Sequence, residues 1–244
     1  MRNAWLIAKK DLRESFGQRA LLLRVALPGL ILPLIYGVVT GSMVRGAEME
    51  PEQARFFAGL ILIFAAVVAV VGTSIGGVVA AQAIALERVH RTMESLLATP
   101  ATDREIFSGK VLAALIPGVV GGYAAGLLYF AAARLTAGIE PIVMPGAAFF
   151  ASFVALLLPL LVAIEVATGV MISARCGTVT GATQLAALAT IPAMGAALYV
   201  AYLARQWETV ERLLFVAGLA ALVVALFYVG AKALGREEII ARLD

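Results

Sequence analysis

One cysteine and one histidine are all the thiol and imidazole this chain offers a metal. Cys176 has no second cysteine to pair with, so an internal disulfide is excluded, and His90 alone cannot build a multi-histidine centre. Charge is scarce too. Only 14% of residues are charged while 62% are hydrophobic, which departs from globular composition in both directions. The scarcity is patterned: residues 56–86 carry no charge, and neither do residues 111–133. Recurrent uncharged apolar runs longer than about 18 residues are the mark of membrane-spanning helices. A soluble domain, which 244 residues would otherwise suit, is therefore excluded. Catalytic signatures are missing as well. There is no HExxH and no GxSxG, which removes the common membrane-protease and hydrolase readings. There is no GxxxxGK[ST] loop either, because Gly109-Lys110 has Arg104 where that motif needs glycine. No catalytic residue and no metal site is expected, and the chain does not bind ATP by that motif.

What is present reads as one all-α integral membrane domain over residues 1–244. The pattern predicts an interfacial amphipathic helix at 3–18 and six spans near 20–41, 57–86, 106–133, 146–173, 180–203 and 213–234. The first 19 residues include Asp11 and Glu14 among their basic residues, too mixed for a signal n-region, so the first apolar run is expected to be an uncleaved span. Trp5, Leu12 and Phe16 fall on one stripe of the N-terminal helix, away from Lys10, Arg13 and Glu14. Such a helix suits a membrane surface, with a solvated cytoplasmic helix as the other possibility. With the N-terminus inside, 14 Lys and Arg residues fall on inner segments. Only Arg45, Arg55, Arg134, Arg205 and Arg212 fall outside, so both termini are expected in the cytoplasm. Pro28, Pro33, Pro117, Pro159 and Pro192 are candidate kinks. The pairs Gly37/Gly41, Gly72/Gly76, Gly118/Gly122 and Gly122/Gly126 are candidate close contacts, more within the chain than between copies.

Between the second and third spans lies an amphipathic insert, residues 87–105. Val89, Met93, Leu96 and Leu97 share one helical face, with Arg88, Arg91 and Ser95 elsewhere. Pro100 is expected to end that helix, and Thr102 with Glu105 has capping-box spacing for the next. Such a unit either transmits a push from a soluble protein to both spans or lies on the bilayer without a partner.

The string Glu87-Arg88, Thr92-Met93-Glu94, Leu96-Leu97, Thr99-Pro100, Arg104-Glu105-Ile106 and Gly109-Lys110 resembles the segment between the second and third spans of type-2 ATP-binding-cassette (ABC-2) permeases. Ala8-Lys9-Lys10-Asp11-Leu12-Arg13 is similar to that family's N-terminal helix. Ser173-Ala174-Arg175, Ala182-Thr183-Gln184, Pro192 and Arg236-Glu237-Glu238-Ile239-Ile240 are similar to its sodium-efflux-like, multidrug-exporter branch. The resemblance implies a dimer, or a heterodimer with a second permease, in a cell membrane. It also implies separate ABC ATPase subunits and ATP-driven export, with no nucleic acid among the partners. It implies coupling through Glu87, Arg88, Arg91, Glu94, Leu97, Pro100, Arg104 and Lys110. The outer re-entrant hairpin of many members has only about residues 193–212 to occupy here. A non-transporting membrane scaffold with the same insert is the alternative.

Glu165 is the one acidic residue deep in a span, ten positions before Arg175, or about 15 Å of helix. Intramembrane carboxylates pair, protonate or line water, so it is the candidate for a substrate pathway; a hydrogen-bonded structural role is the alternative. Arg24 lies near the inner end of its span and is expected to snorkel.

Overall fold

A computed structural model of the chain describes residues 2–17, 23, 27–45, 51–93, 96, 98–137, 147–203 and 208–233, and these hold no strand. Eight helices organise them: α1 (Arg2–Gly17), α2 (Leu27–Val44), α3 (Pro51–Gln82), α4 (Ala85–Val89), α5 (Asp103–Ala137), α6 (Ala147–Arg175), α7 (Val179–Leu203) and α8 (Thr209–Ala233). Among the described residues five stretches are long and apolar enough to cross a membrane: Leu27–Val44, Val67–Val89, Asp103–Ala137, Leu156–Arg175 and Val210–Lys232. The helix α7 is 25 residues long and contains no charged side chain. The 32 residues of α3 would extend about 48 Å, more than a hydrocarbon core needs. It ends at a break at Ala83 and Ile84, after which the chain turns into α4. Arg24, the expected snorkelling residue, lies outside the described residues.

Small residues decide the packing. The helix α5 is the hub, lying against α1, α2, α3, α6 and α8. Where it meets α3, a Cβ on Gly76 would stand 2.7 Å from the Ala114 carbonyl oxygen and 2.8 Å from Gly118 Cα. The backbones touch because neither helix carries a side chain there. Gly72 meets Ala125 and Gly122 in the same way, and Gly37 and Gly41 of α2 meet Ala132 and Thr136. The expected glycine pairs thus pack within the chain, except that Gly126 faces open space, so Gly122/Gly126 is not a pair. Pro33, Pro117, Pro159 and Pro192 lie inside helices. Pro28 instead stands in the first turn of α2, where a missing N–H breaks no helix bond. The core is built from Val79, Ile84, Met93, Phe107, Val111, Val162, Val166 and Val170. Phe107 meets Phe227 edge-on, their ring centroids 5.7 Å apart, which fastens α8 to α5.

The face by which α1 docks differs from its apolar stripe. Ala4 and Ala8 are buried, and Ala4 lies against Gly109 of α5. Trp5 and Phe16 are more than half exposed. The small face packs on protein and the aromatic face is left outward.

Candidate functional site

The site is the junction where α1, α4, α5 and the C-terminus of α6 meet. Lys110 projects from α5 and is almost wholly enclosed, 2% exposed. Its Nζ lies 2.8 Å from Glu87 Oε1 and 2.9 Å from Asp11 Oδ2, so one ammonium joins α4 to α1 through α5. Thr92 donates its hydroxyl to the other Glu87 oxygen, Oε2. Lys10 reaches Glu87 Oε1 at 3.4 Å from the solvent side and Glu14 at 3.6 Å. Burial pushes the Asp11 carboxyl above its ordinary value, opposed by Lys110. Burial works against the charge on Lys10, yet Glu87, Glu14 and Asp11 together raise it above its ordinary value. A buried ion that loses its partner is costly, so each member of this cluster holds the others in place.

A second set of bonds ties α4 to α6. Ser173 Oγ, fully buried, accepts the backbone N–H groups of Ile84 and Ala85 at 3.1 and 3.0 Å. These two donors stand at the start of α4, where a helix cannot satisfy them itself. Arg88 returns the connection: its two terminal nitrogens donate to the carbonyls of Cys176, at 3.0 Å, and Ala174, at 2.7 Å. Those carbonyls lie at the C-terminal end of α6, where intrahelical donors run out and a cation is favoured.

A family model described as ABC-2 family transporter protein matches residues 5–206. The chain belongs to the ABC-2 transporter family. No curated protein matches it. It is thus an ABC transporter membrane protein, a multi-pass permease component.

Within this ABC-2 permease the insert departs from the single helix its periodicity predicts. The helix α4 ends at Val89, and Arg91 has φ 56°, the left-handed conformation. The N–H of Thr92 bonds to the Glu87 carbonyl at 2.9 Å and that of Arg91 to the Arg88 carbonyl at 3.0 Å. This pair of bonds is a Schellman motif, with Arg91 where glycine normally sits. The chain reverses there. Val89 is left 62% exposed while Met93 is buried in the core, so the expected common face of Val89, Met93, Leu96 and Leu97 does not form. The capping box does form: Glu105 N–H donates to Thr102 Oγ1 at 3.3 Å, and Thr102 N–H to Glu105 Oε2 at 3.2 Å. Asn3 of α1 donates to the same oxygen at 3.2 Å.

The expected coupling residues divide by direction. Glu87, Arg88 and Lys110 point into the chain's own fold and hold its elements together. Arg91, Pro100 and Arg104 are exposed. Glu94 and Leu97 lie outside the described residues. Sequence reading missed Asp11, Thr92 and Ser173 as members of the junction. The one available signal for Asp11 was an acidic residue within the basic N-terminal helix.

Glu165 lies inside the helix bundle, 5% exposed, between α6 and α3. Its carboxyl rests on Gly77, where a Cβ would overlap Oε1, and its Oε2 is 2.9 Å from Thr73 Oγ1.

Proposed function

We propose that this chain is the permease subunit of an ATP-driven exporter. In this reading each copy spans the membrane six times, with α7 as the fifth span and both termini in the cytoplasm. The helix α1 lies at the inner surface with Trp5 and Phe16 toward lipid. Two copies, or one copy and a homologue, enclose the pathway, and separate ABC ATPase subunits supply ATP and magnesium chemistry below. Glu165 joins the pathway when α3 and α6 part.

The observation that carries this reading is the turn at Arg91. A non-glycine residue at that φ costs about 1–2 kcal/mol, and such strain concentrates at functional sites. Here the strained residue is exposed and cationic, next to exposed Val89 and His90, on a turn whose base is bolted to α1, α5 and α6. A rigid base with a projecting tip can pass a push from a docked partner to four helices.

The test is Arg91→Gly, assayed with the cognate ATPase subunit in lipid. Glycine adopts the turn without strain, so the permease should hold or gain stability, by about 0.5–1 kcal/mol after the entropy cost of glycine. Recovery of the ATPase in pull-down and transport-linked hydrolysis should both fall. Unchanged recovery and hydrolysis would remove Arg91 from the coupling surface.

A further inference from the structure

We propose that a cavity between α1 and the corner of α3 and α4 binds a small organic cation, an amine or guanidinium carried on a short apolar body, in the place that the Lys10 ammonium holds here. The cavity measures about 300 Å³, at the lower end of the range for small-molecule sites. Its wall is apolar, made by Val79 and Ala83 of α3, Leu86 of α4 and Ala113 of α5. Its floor is polar, made by the enclosed side chains of Glu87 and Lys110. Lys10 and Glu14 of α1 stand at the mouth, each more than half exposed.

The two lysines hold Glu87 unequally. Lys110 Nζ lies 2.8 Å from Glu87 Oε1 and 2.9 Å from Asp11 Oδ2, the lengths of charge-assisted bonds. Lys10 Nζ lies 3.4 Å from the same Glu87 oxygen and 3.6 Å from Glu14 Oε1, longer than such bonds. An exposed ion pair contributes little, so Lys10 loses little by swinging into water. What it vacates is a position between two carboxylates at the edge of an apolar wall. That position favours a cation: burial opposes the charge on Lys10, yet Glu87 and Glu14 outweigh it.

The wall sets the rest of the ligand. The open cavity leaves Val79, Ala83, Leu86 and Ala113 uncovered. An amine with an apolar body can pair with the same two carboxylates and cover that wall, and burial of apolar surface then drives the exchange. Gln82, on the same side, offers a carboxamide oxygen to a remaining N–H of the ligand. An anion has no such place, because Lys110 is committed to Glu87 and Asp11. The exchange puts one cation where another was, and no covalent bond changes. Binding here needs neither an ATPase nor transport, so it can be measured on the chain alone.

The experiment is binding of radiolabelled phenethylamine at neutral pH to the full chain in lipid discs, counting the label that excess unlabelled amine displaces. Phenethyl alcohol, of the same shape without the charge, should compete at least about tenfold less well. Lys10→Met removes the resident ammonium and should tighten binding by up to about fivefold. Adding Glu14→Gln to Lys10→Met should give that gain back. Lys9→Met makes the same change of charge on α1 at an exposed residue outside the cavity, and should leave affinity unchanged. All three positions are exposed on α1, so the variants keep the buried contacts of the fold. No displaceable label on wild type or Lys10→Met, an alcohol that competes as well as the amine, or equal gains from Lys9→Met and Lys10→Met would each overturn the proposal.

Discussion

Lys110→Met is the sharpest test of how the junction is held. Methionine keeps much of the length and apolar stem of lysine and removes only the ammonium. That ammonium is 2% exposed and touches Glu87 and Asp11, whose side chains are 7% and 12% exposed. Without it two carboxylates face each other with little water to separate them. Removing one partner of a buried ion pair costs about 3–5 kcal/mol, mostly because the charge left behind is uncompensated. At about 1.4 kcal/mol per decade, the folded-to-unfolded ratio should fall by roughly two to four decades. Thermal or denaturant unfolding in detergent should show this directly.

The same argument fixes what restores stability. If stranded charge is the cost, then Lys110→Met combined with Glu87→Gln and Asp11→Asn should regain most of it, since a buried ionic set is often replaceable by neutral groups of similar shape. Asp11→Asn alone should cost less than Glu87→Gln alone. Glu87 is also held by Thr92 and Lys10, while burial already disfavours the charge on Asp11. A single Lys110→Met variant as stable as wild type would refute the reasoning. So would a triple variant no better than the single, because the loss would then be one of packing and not of charge.

Ser173→Ala should destabilise by about 1–3 kcal/mol per stranded donor, because it leaves the N–H groups of Ile84 and Ala85 without an acceptor; unfolding curves of variant and wild type measure it. Gly76→Ala should cost about 1–3 kcal/mol by forcing α3 off α5. Gly126→Ala, facing open space, should be neutral or gain up to about 1 kcal/mol from helix propensity, so equal melting shifts for the two would contradict the packing. For topology, single cysteines at Ser42 and Glu208 in a Cys176→Ser background should label with an impermeant maleimide on intact cells, and one at His90 should label only after lysis.

The sequence carried the parts of this architecture that are local. Apolar runs long enough to span needed only composition, and the Thr102–Glu105 box needed only three-residue spacing, so both were readable. Arg91 was not readable, because left-handed helix ends are announced by glycine or asparagine and this one is not. Periodicity therefore ran one helix through a reversal and put Val89 and Met93 on one face, although one is exposed and the other buried. The bond between Asp11 and Lys110 joins residues far apart in the chain, and no pattern within either helix specifies it. The N-terminal stripe was visible, yet the docking face was the inconspicuous one, Ala4 and Ala8, chosen because Gly109 leaves a gap. Glu165 stood out by being charged. Its partner Thr73 did not, since a lone threonine in a span usually bonds its own helix, as Thr73 also does.

The face that α3 and α4 present to α6 is tied at two levels by different chemistry. At the junction, Ser173 and Arg88 hold it with backbone bonds that do not titrate. Eight residues away along α6, about 12 Å of helix, Glu165 meets Thr73 of α3 in a hydroxyl–carboxyl hydrogen bond. Between the two levels Gly169 lies against Ala80 and Ala81, a smooth contact with no side chain to interlock. Such a seam has a fixed end and a loose end. Were a partner to push on the Arg91 tip, the force would reach α6 through the fixed end, and the helices would part at the loose end. In the exporter reading this makes the junction a pivot and Glu165 the point that opens, so the two sites need no contact to act in one cycle.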